Sequence, residues 1–253
     1  MTIQKSALVT AFSIVLLIGF ISGTTHAGGL YLYELGGPEV GLAGAGWAAR
    51  AQDAAVVITN PAGMSRLDHS ELMVGAQPLY LSVDFTPDQN TGPDGGSGDA
   101  SDWLPAGGMY YVHPITPDIR LGMAMVGYFG LGLDYGDDWA GRYYLEEIKL
   151  QTLAFQPALS YRVNQRFSLG LGINALYGVL EKKAAVNNLE PGLPDGKMEL
   201  DANDWTYQFN TGVLFEPADG TRFGLTYMSE ADLEFDDSPE FSGLGDGLSA
   251  ILG

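Results

Sequence analysis

The chain of 253 residues contains no cysteine and sets only 12 lysines and arginines against 31 acidic residues. Without cysteine there is no disulfide framework, no thiolate nucleophile and no lipid-modified N-terminal cysteine. A formal net charge of −19 argues against nucleic-acid partners, which need clustered lysine and arginine to neutralise phosphate. Histidine is scarce too: beyond residue 27 only His69 and His113 remain, one in a predicted loop and one before Pro114, and they form no metal-ligand cluster. No serine sits in a nucleophile elbow, and Gly41, Gly44 and Gly46 lack the spacing and the preceding strand of a dinucleotide site. Neither enzymatic activity nor a cofactor or metal is expected. Past residue 27, no run reaches the eighteen or so apolar residues that a spanning helix requires.

What is present begins with an export signal. Lys5 supplies a positive n-region, residues 7–21 an apolar h-region, and Thr25-His26-Ala27 a small-residue cleavage site. That layout predicts a signal peptide over 1–27 and a mature chain starting at Gly28. Ser13, Gly19 and the polar 22–25 run argue against a retained membrane anchor.

Residues 41–65 are small, apolar and weakly charged. Their alanines predict about three turns of helix over 47–57, ended at Asn60-Pro61 because a residue before proline is pushed out of the α region. The stretch is too short to span a membrane and too bare for a solvated surface, so it reads as a plug around which the rest wraps.

From residue 72 onward the chain alternates. In 204–215, Trp205, Tyr207, Phe209, Val213 and Phe215 are apolar, while Thr206, Gln208 and Asn210 between them are polar. This period of two is a strand with one apolar and one polar face. The pattern recurs over 222–235, where Leu233 and Phe235 join Phe223, Leu225 and Tyr227, leaving Glu230, Asp232 and Glu234 on the polar side. It also recurs over 167–179 and 150–162, and more weakly over 119–130, 103–113 and 72–85. A phase slip near Pro78 predicts a bulge there, and Pro105 and Pro157 also fall inside predicted strands, each deleting a ladder donor. The total is seven strands.

Connections alternate as well. Long ones cover 86–102, 131–149, 182–203 and 236 onward; short ones cover 114–118, 163–165 and 217–220. Strands of about ten residues with aromatic ends, short turns on one side and long loops on the other are the signature of a transmembrane barrel of the outer-membrane type. A soluble sandwich would bury its apolar face against a second sheet and would have no reason to alternate loop length. Barrels of this class usually have an even strand number and close on themselves, so seven strands ending in loop-like sequence predict an incomplete barrel.

The long loops are acidic. The oxygen-rich run from Asp88 through Asn90 and Asp94 to Asp99 lacks the flanking helices and bidentate glutamate of a calcium loop, and reads as a solvated external loop. Asp134, Asp137, Asp138, Glu146 and Glu147 could bridge through divalent cations to anionic outer-membrane lipid such as lipopolysaccharide.

Asn60-Pro61-Ala62-Gly63-Met64, with Asp53-Ala54-Ala55 before it, resembles the N-terminal hatch of the outer-membrane long-chain fatty-acid and hydrocarbon transport proteins of the FadL/TodX type. The strands at 167–177, 204–216 and 222–230 follow it in the family's order. The resemblance implies an all-β, antiparallel, fourteen-stranded transmembrane barrel with a helical hatch plugging its lumen. The hatch would occupy 28–70, and 71–253 would supply the first seven strands. It further implies a monomer when full length, passive uptake of a hydrophobic small molecule (a fatty acid or a hydrocarbon), no enzyme activity and no energy coupling.

In this family, ligand leaves sideways through a gap where the third strand kinks. That place matches Gly127, Tyr128, Phe129 and Gly130, and the Asn60-Pro61-Ala62 turn would face it. Lys182 and Lys183, near the outer end of the fifth strand, correspond to basic residues that contact a ligand carboxylate. A non-transporting adhesin or structural barrel, and a soluble periplasmic lipid-binding protein, are the alternative classes.

Overall fold

An alternating strand must solvate two unlike faces, and here the polar face is the one that protein covers. The computed structural model describes residues 35–88, 91, 95–190 and 192–252. The expected signal peptide, residues 28–34 and part of the 88–99 loop lie outside them. A 3₁₀ turn (Val40–Leu42), helix α1 (Val56–Thr59) and a 3₁₀ helix (Pro61–Arg66) come first. They are followed by β1 (Glu71–Leu81), β2 (Asp84–Phe85), β3 (Gly98–Asp99), β4 (Asp102–Pro114), β5 (Ile119–Val126) and β6 (Gly130–Asp134). Then come β7 (Glu147–Asn164), β8 (Phe167–Val186), β9 (Gly196–Ala218), β10 (Thr221–Met228), β11 (Glu240–Ser242) and helix α2 (Asp246–Leu252).

The main sheet runs β1-β4-β5-β7-β8-β9-β10, with β6 continuing beside β7 and β11 added beside β9. Every pairing is antiparallel, and the sheet curls into a half-barrel. Strands β2 and β3 form a separate hairpin in the first long loop.

The faces are inverted relative to a soluble protein. Inward-facing Gln156, Ser160, Asn174 and Asn210 are fully buried, whereas outward-facing Phe209 and Leu225 are 56% and 71% exposed. The outward apolar face is continuous across all seven wall strands, far beyond the few hundred Å² that soluble monomers tolerate. Aromatic pairs edge this belt: Tyr177–Trp205 at 4.8 Å and Tyr80–Trp103 at 5.1 Å toward the long loops, and Tyr111–His113 at 6.3 Å toward the short turns. Such rings suit the headgroup level of a bilayer. No helix among the described residues is long and apolar enough to cross a membrane.

Several local expectations are corrected. Residues 47–57 are not a helix: Gly46 and Ala51 have positive φ, and only Val56–Thr59 is α-helical. Alanine's helix propensity loses there to tertiary contacts, since Arg50 bonds Glu39 and Asp53 at 2.5 and 2.6 Å and folds the segment back on itself. No bulge occurs at Pro78, which pairs with Pro105 in unbroken register. Neither residue has an N–H, so their pair is of the non-hydrogen-bonded kind and needs no donor.

Residues 182–203 are mostly strand, not loop, because β8 and β9 run on to Val186 and from Gly196. In β8 the charges of Glu181, Lys182 and Lys183 fall on both faces. In β9, Met198, Leu200 and Ala202 alternate with Lys197, Glu199 and Asp201 with the apolar side inward, the reverse of the wall below. Strand β10 stops at Met228, so 222–235 is not one strand. Leu233 and Phe235 lie not with Phe223 but against Gly178 on the inward face, while Glu230, Asp232 and Glu234 are exposed.

Candidate functional site

The inner segment, residues 35–67, is seated on glycines of the wall. Gly170 of β8 and Gly212 of β9 are register partners. A Cβ on Gly212 would overlap the Asn60 carboxamide oxygen, and one on Gly170 would overlap the Pro61–Ala62 peptide. Gly122 of β5 receives Val57 and Met64, and Gly224 of β10 receives the Ala48 carbonyl. Glycine is required at these positions because the two backbones approach too closely for any side chain.

Around this seat, wall side chains take up the carbonyls that so short a helix cannot satisfy itself. Gln156 Nε2 donates to Val57 O (2.6 Å), Asn210 Nδ2 to Ile58 O (2.7 Å), Ser160 Oγ to Ala62 O (3.3 Å) and Arg120 Nε to Leu67 O (2.8 Å). Arg162 donates to Ser65 O, and Ser65 Oγ to Ser168 Oγ at 2.8 Å.

Asn60 is the joint of the segment. Its backbone is extended (φ −164°, ψ 101°), and its Oδ1 accepts from Ala62 N at 3.1 Å. Its Nδ2 donates to Ala48 O at 2.6 Å and to Val213 O of β9 at 3.1 Å. Pro61 and Ala62 are buried beside it. The turn therefore faces β8 and β9, not the third-strand kink as expected; Val57 and Met64 are the residues that reach the third strand. Asp53 lies two residues before the Ala55 N-cap of α1, its Oδ1 accepting from Ala55 N at 3.1 Å while Oδ2 holds Arg50.

The third strand is broken. Strand β5 pairs with β4 as far as Gly108↔Val126 and with β7 as far as Val126↔Ala154. Gly127 and Tyr128 then leave the ladder, Phe129 makes a single bridge, and β6 resumes at Gly130 opposite Gln151, its ladder running beside β7. Tyr128 is buried in the inner cluster. Phe129 is clamped to Thr152, donating its N–H to Oγ1 (2.9 Å) and accepting from the Thr152 amide (3.0 Å).

On the side facing β6, residues 102–107 of β4 are therefore outside the β4–β5 ladder, which stops at Gly108. A cavity of about 370 Å³ fills the break, lined by Leu104, Pro105, Ala106 and Gly107 on one side and by Gly127, Phe129, Gly130, Thr152 and Leu153 on the other. Its β4 edge is short of donors. The N–H that Pro105 lacks would point into the break, and the Trp103 N–H is already taken by Asp102 Oδ1 at 2.7 Å. Fewer unmet donors lower the cost of leaving this edge beside a cavity, although its carbonyls remain. Pro157 has a related effect: the β7–β8 ladder is interrupted at Gln156 and Pro157 without a change of register.

Lys182 and Lys183 fall on opposite faces by strand alternation. Lys183 is on the outward side, bound to Glu147 at 2.7 Å, and Glu147 also holds Lys149. Only Lys182 has inward parity. Glu147 is thus engaged rather than free for cations, and among the described residues no three acidic or histidine side chains form a metal-holding group. In the outer loops Trp139 stacks on Tyr135 at 4.1 Å and meets Phe85 edge-on at 5.4 Å, tying the first two long loops together.

The signals that sequence reading missed were the small and amide residues on the polar faces: Gly170, Gly212, Gly224, Gln156 and Asn210. Their recurrence at even positions marked a face that meets backbone rather than water.

Comparison with known proteins agrees with this architecture. A family model described as outer membrane protein transport protein (OMPP1/FadL/TodX) matches residues 18–251. The long-chain fatty acid transport protein of Escherichia coli O6:H1 (strain CFT073) is 27% identical over 99% of this chain and 60% of its own length. Outer membrane protein P1 of Haemophilus influenzae (strain Rd) is 26% identical over 85% of this chain and 56% of its own. The chain thus spans little more than half the length of these curated relatives.

Among solved structures, a Pseudomonas aeruginosa FadL homologue superposes with a TM-score of 0.63 at 22% identity, covering 80% of this chain and 53% of that one. The Pseudomonas putida toluene transporter TodX gives a TM-score of 0.59 at 16% identity, covering 76% and 55%. With its half-barrel and its outward apolar belt, the chain belongs to the OMPP1/FadL/TodX family of outer-membrane transport proteins.

Proposed function

We propose that this chain forms part of an outer-membrane channel for passive uptake of hydrophobic compounds, with lateral release through the wall. The 35–67 segment acts as the hatch that blocks the axial path. The break between β4 and β6 at Gly127–Gly130 is the exit. Its apolar lining and donor-poor edge are the observation that carries the reading. Each methylene exposed to water costs about 0.8 kcal/mol, so an alkyl or aromatic ligand gains by passing directly into lipid. Relatives named for long-chain fatty acids and for toluene support a hydrophobic ligand of one of these classes. Lys182, on the inward parity, is the proposed contact for a ligand carboxylate.

The test is uptake of labelled oleate and of toluene by cells producing the full-length protein, with and without Gly127→Leu. A Cβ at Gly127 meets only the Thr152 carbonyl, at 3.2 Å, so a leucine there projects into the cavity. Loss of most uptake with an unchanged amount of inserted protein is the expected result. Undiminished uptake would sink lateral release.

A further inference from the structure

Positive charge is scarce in this chain and sorted by residue type. Arg142 lies in a long loop, while Arg50, Arg66, Arg120, Arg162, Arg166 and Arg222 lie at the short-turn end; the lysines after residue 27, Lys149, Lys182, Lys183 and Lys197, lie at the long-loop end. Most of the short-turn arginines hold the inner segment. Arg120 and Arg162 donate to its carbonyls, Arg222 donates to Ala49 O and Arg50 O, and Arg66, the last residue of the 3₁₀ helix, pairs with Glu216 of β9. Arg222 also approaches Glu216, at 4.0 Å.

Arg166 does none of this. It is exposed in the β7–β8 turn, and among the described residues its guanidinium has no ion pair. Beside it a cavity of about 570 Å³ opens between the β7–β8 and β9–β10 turns, with Arg66, Arg166 and Arg222 on its wall against only Glu216 and Asp219.

We propose that this cavity is an oxyanion site that takes a carboxylate or phosphate group at the periplasmic mouth, the side that short turns face in barrels of this class. Guanidinium forks match both groups bidentately, and the volume is that of a small-molecule pocket. Arg166 is the free arm of the site. Arg66 and Arg222 are shared with Glu216, so an anion bound there competes for the same two guanidiniums that fasten the inner segment to β9 and β10. The site does not depend on the route the hydrophobic ligand takes.

Calorimetric titration of the full chain in zwitterionic nanodiscs with inorganic phosphate, at ionic strength fixed with chloride, tests the site. Saturable binding that weakens about tenfold in Arg166→Gln and is partly restored in Arg166→Lys is expected. Circular dichroism checks that the variants fold, which an exposed turn residue permits. No saturable binding, or equal binding by the parent and Arg166→Gln, overturns the proposal. Repeating the titration with phosphatidylglycerol in the discs separates two sources of the same chemistry. Weaker phosphate binding assigns the site to a lipid headgroup, and unchanged binding assigns it to a soluble oxyanion; each supports the oxyanion site.

Discussion

The Asn60 carboxamide lies so close to the α-carbon of Gly212 that a methyl group on that glycine would collide with it. Three hydrogen bonds of one side chain, accepted from Ala62 N and donated to Ala48 O and Val213 O, hold the contact in place.

Gly212→Ala forces Asn60 off Val213 and is expected to destabilise the packed segment by about 1–3 kcal/mol, the usual cost of overpacking a tight site. Protease cleavage within residues 35–67 should rise while the strands stay protected. Cleavage at the parent's rate would mean that the close approach is not a constraint.

Ile173→Arg places a charge on the outward face of β8, where Ile173 is 46% exposed. If that face meets hydrocarbon, the cost is roughly 2–4 kcal/mol near the bilayer midplane. Insertion into lipid vesicles should fall, and the same substitution would be nearly silent if the face met water.

Lys182→Ala is expected to reduce uptake of oleate and to leave toluene, which has no carboxylate, unaffected. Lys183→Ala should change neither. Its bond to Glu147 is a partly exposed pair worth under about 1 kcal/mol. Equal losses from both variants would refute the assignment by face.

Glu146 lies in the second long loop, where burial raises its pKa above the usual value; Asp137 and Asp195 add to that, and Lys197 and Arg142 oppose it. The folded loop therefore favours the protonated form, so Glu146 contributes a penalty that grows as pH rises through the carboxylate range and is complete at neutrality. Glu146→Gln should raise the melting temperature at neutral pH, with the gain vanishing in acid. A gain that grew on acidification would reverse the sign of this coupling.

The wall strands were legible because a bilayer enforces the period of two on the outward face, as in Trp205, Tyr207 and Phe209. Legibility faded above the bilayer belt: Glu181, Lys182 and Lys183 continue as strand without apolar alternation, and opposite them Met198, Leu200 and Ala202 alternate with charges in the reverse phase, apolar side inward. The inner segment failed differently. Its alanines suggest a helix, yet its shape is set by contacts distant in sequence, such as Asn60 with Val213 and Gln156 with Val57. Asn60-Pro61 did mark the end of α1, because that constraint is local. Which strands the turn would face was not local, and could not be read from the turn itself.

Lateral release is tested most directly by where a ligand touches the wall on its way out. A photoactivatable alkyl analogue, loaded into the full-length protein and cross-linked in place, should label Leu104, Phe129 and Leu153 around the break. Label found instead on Arg66, Glu216 and the short turns would show an axial exit past the inner segment, and would contradict the lateral route.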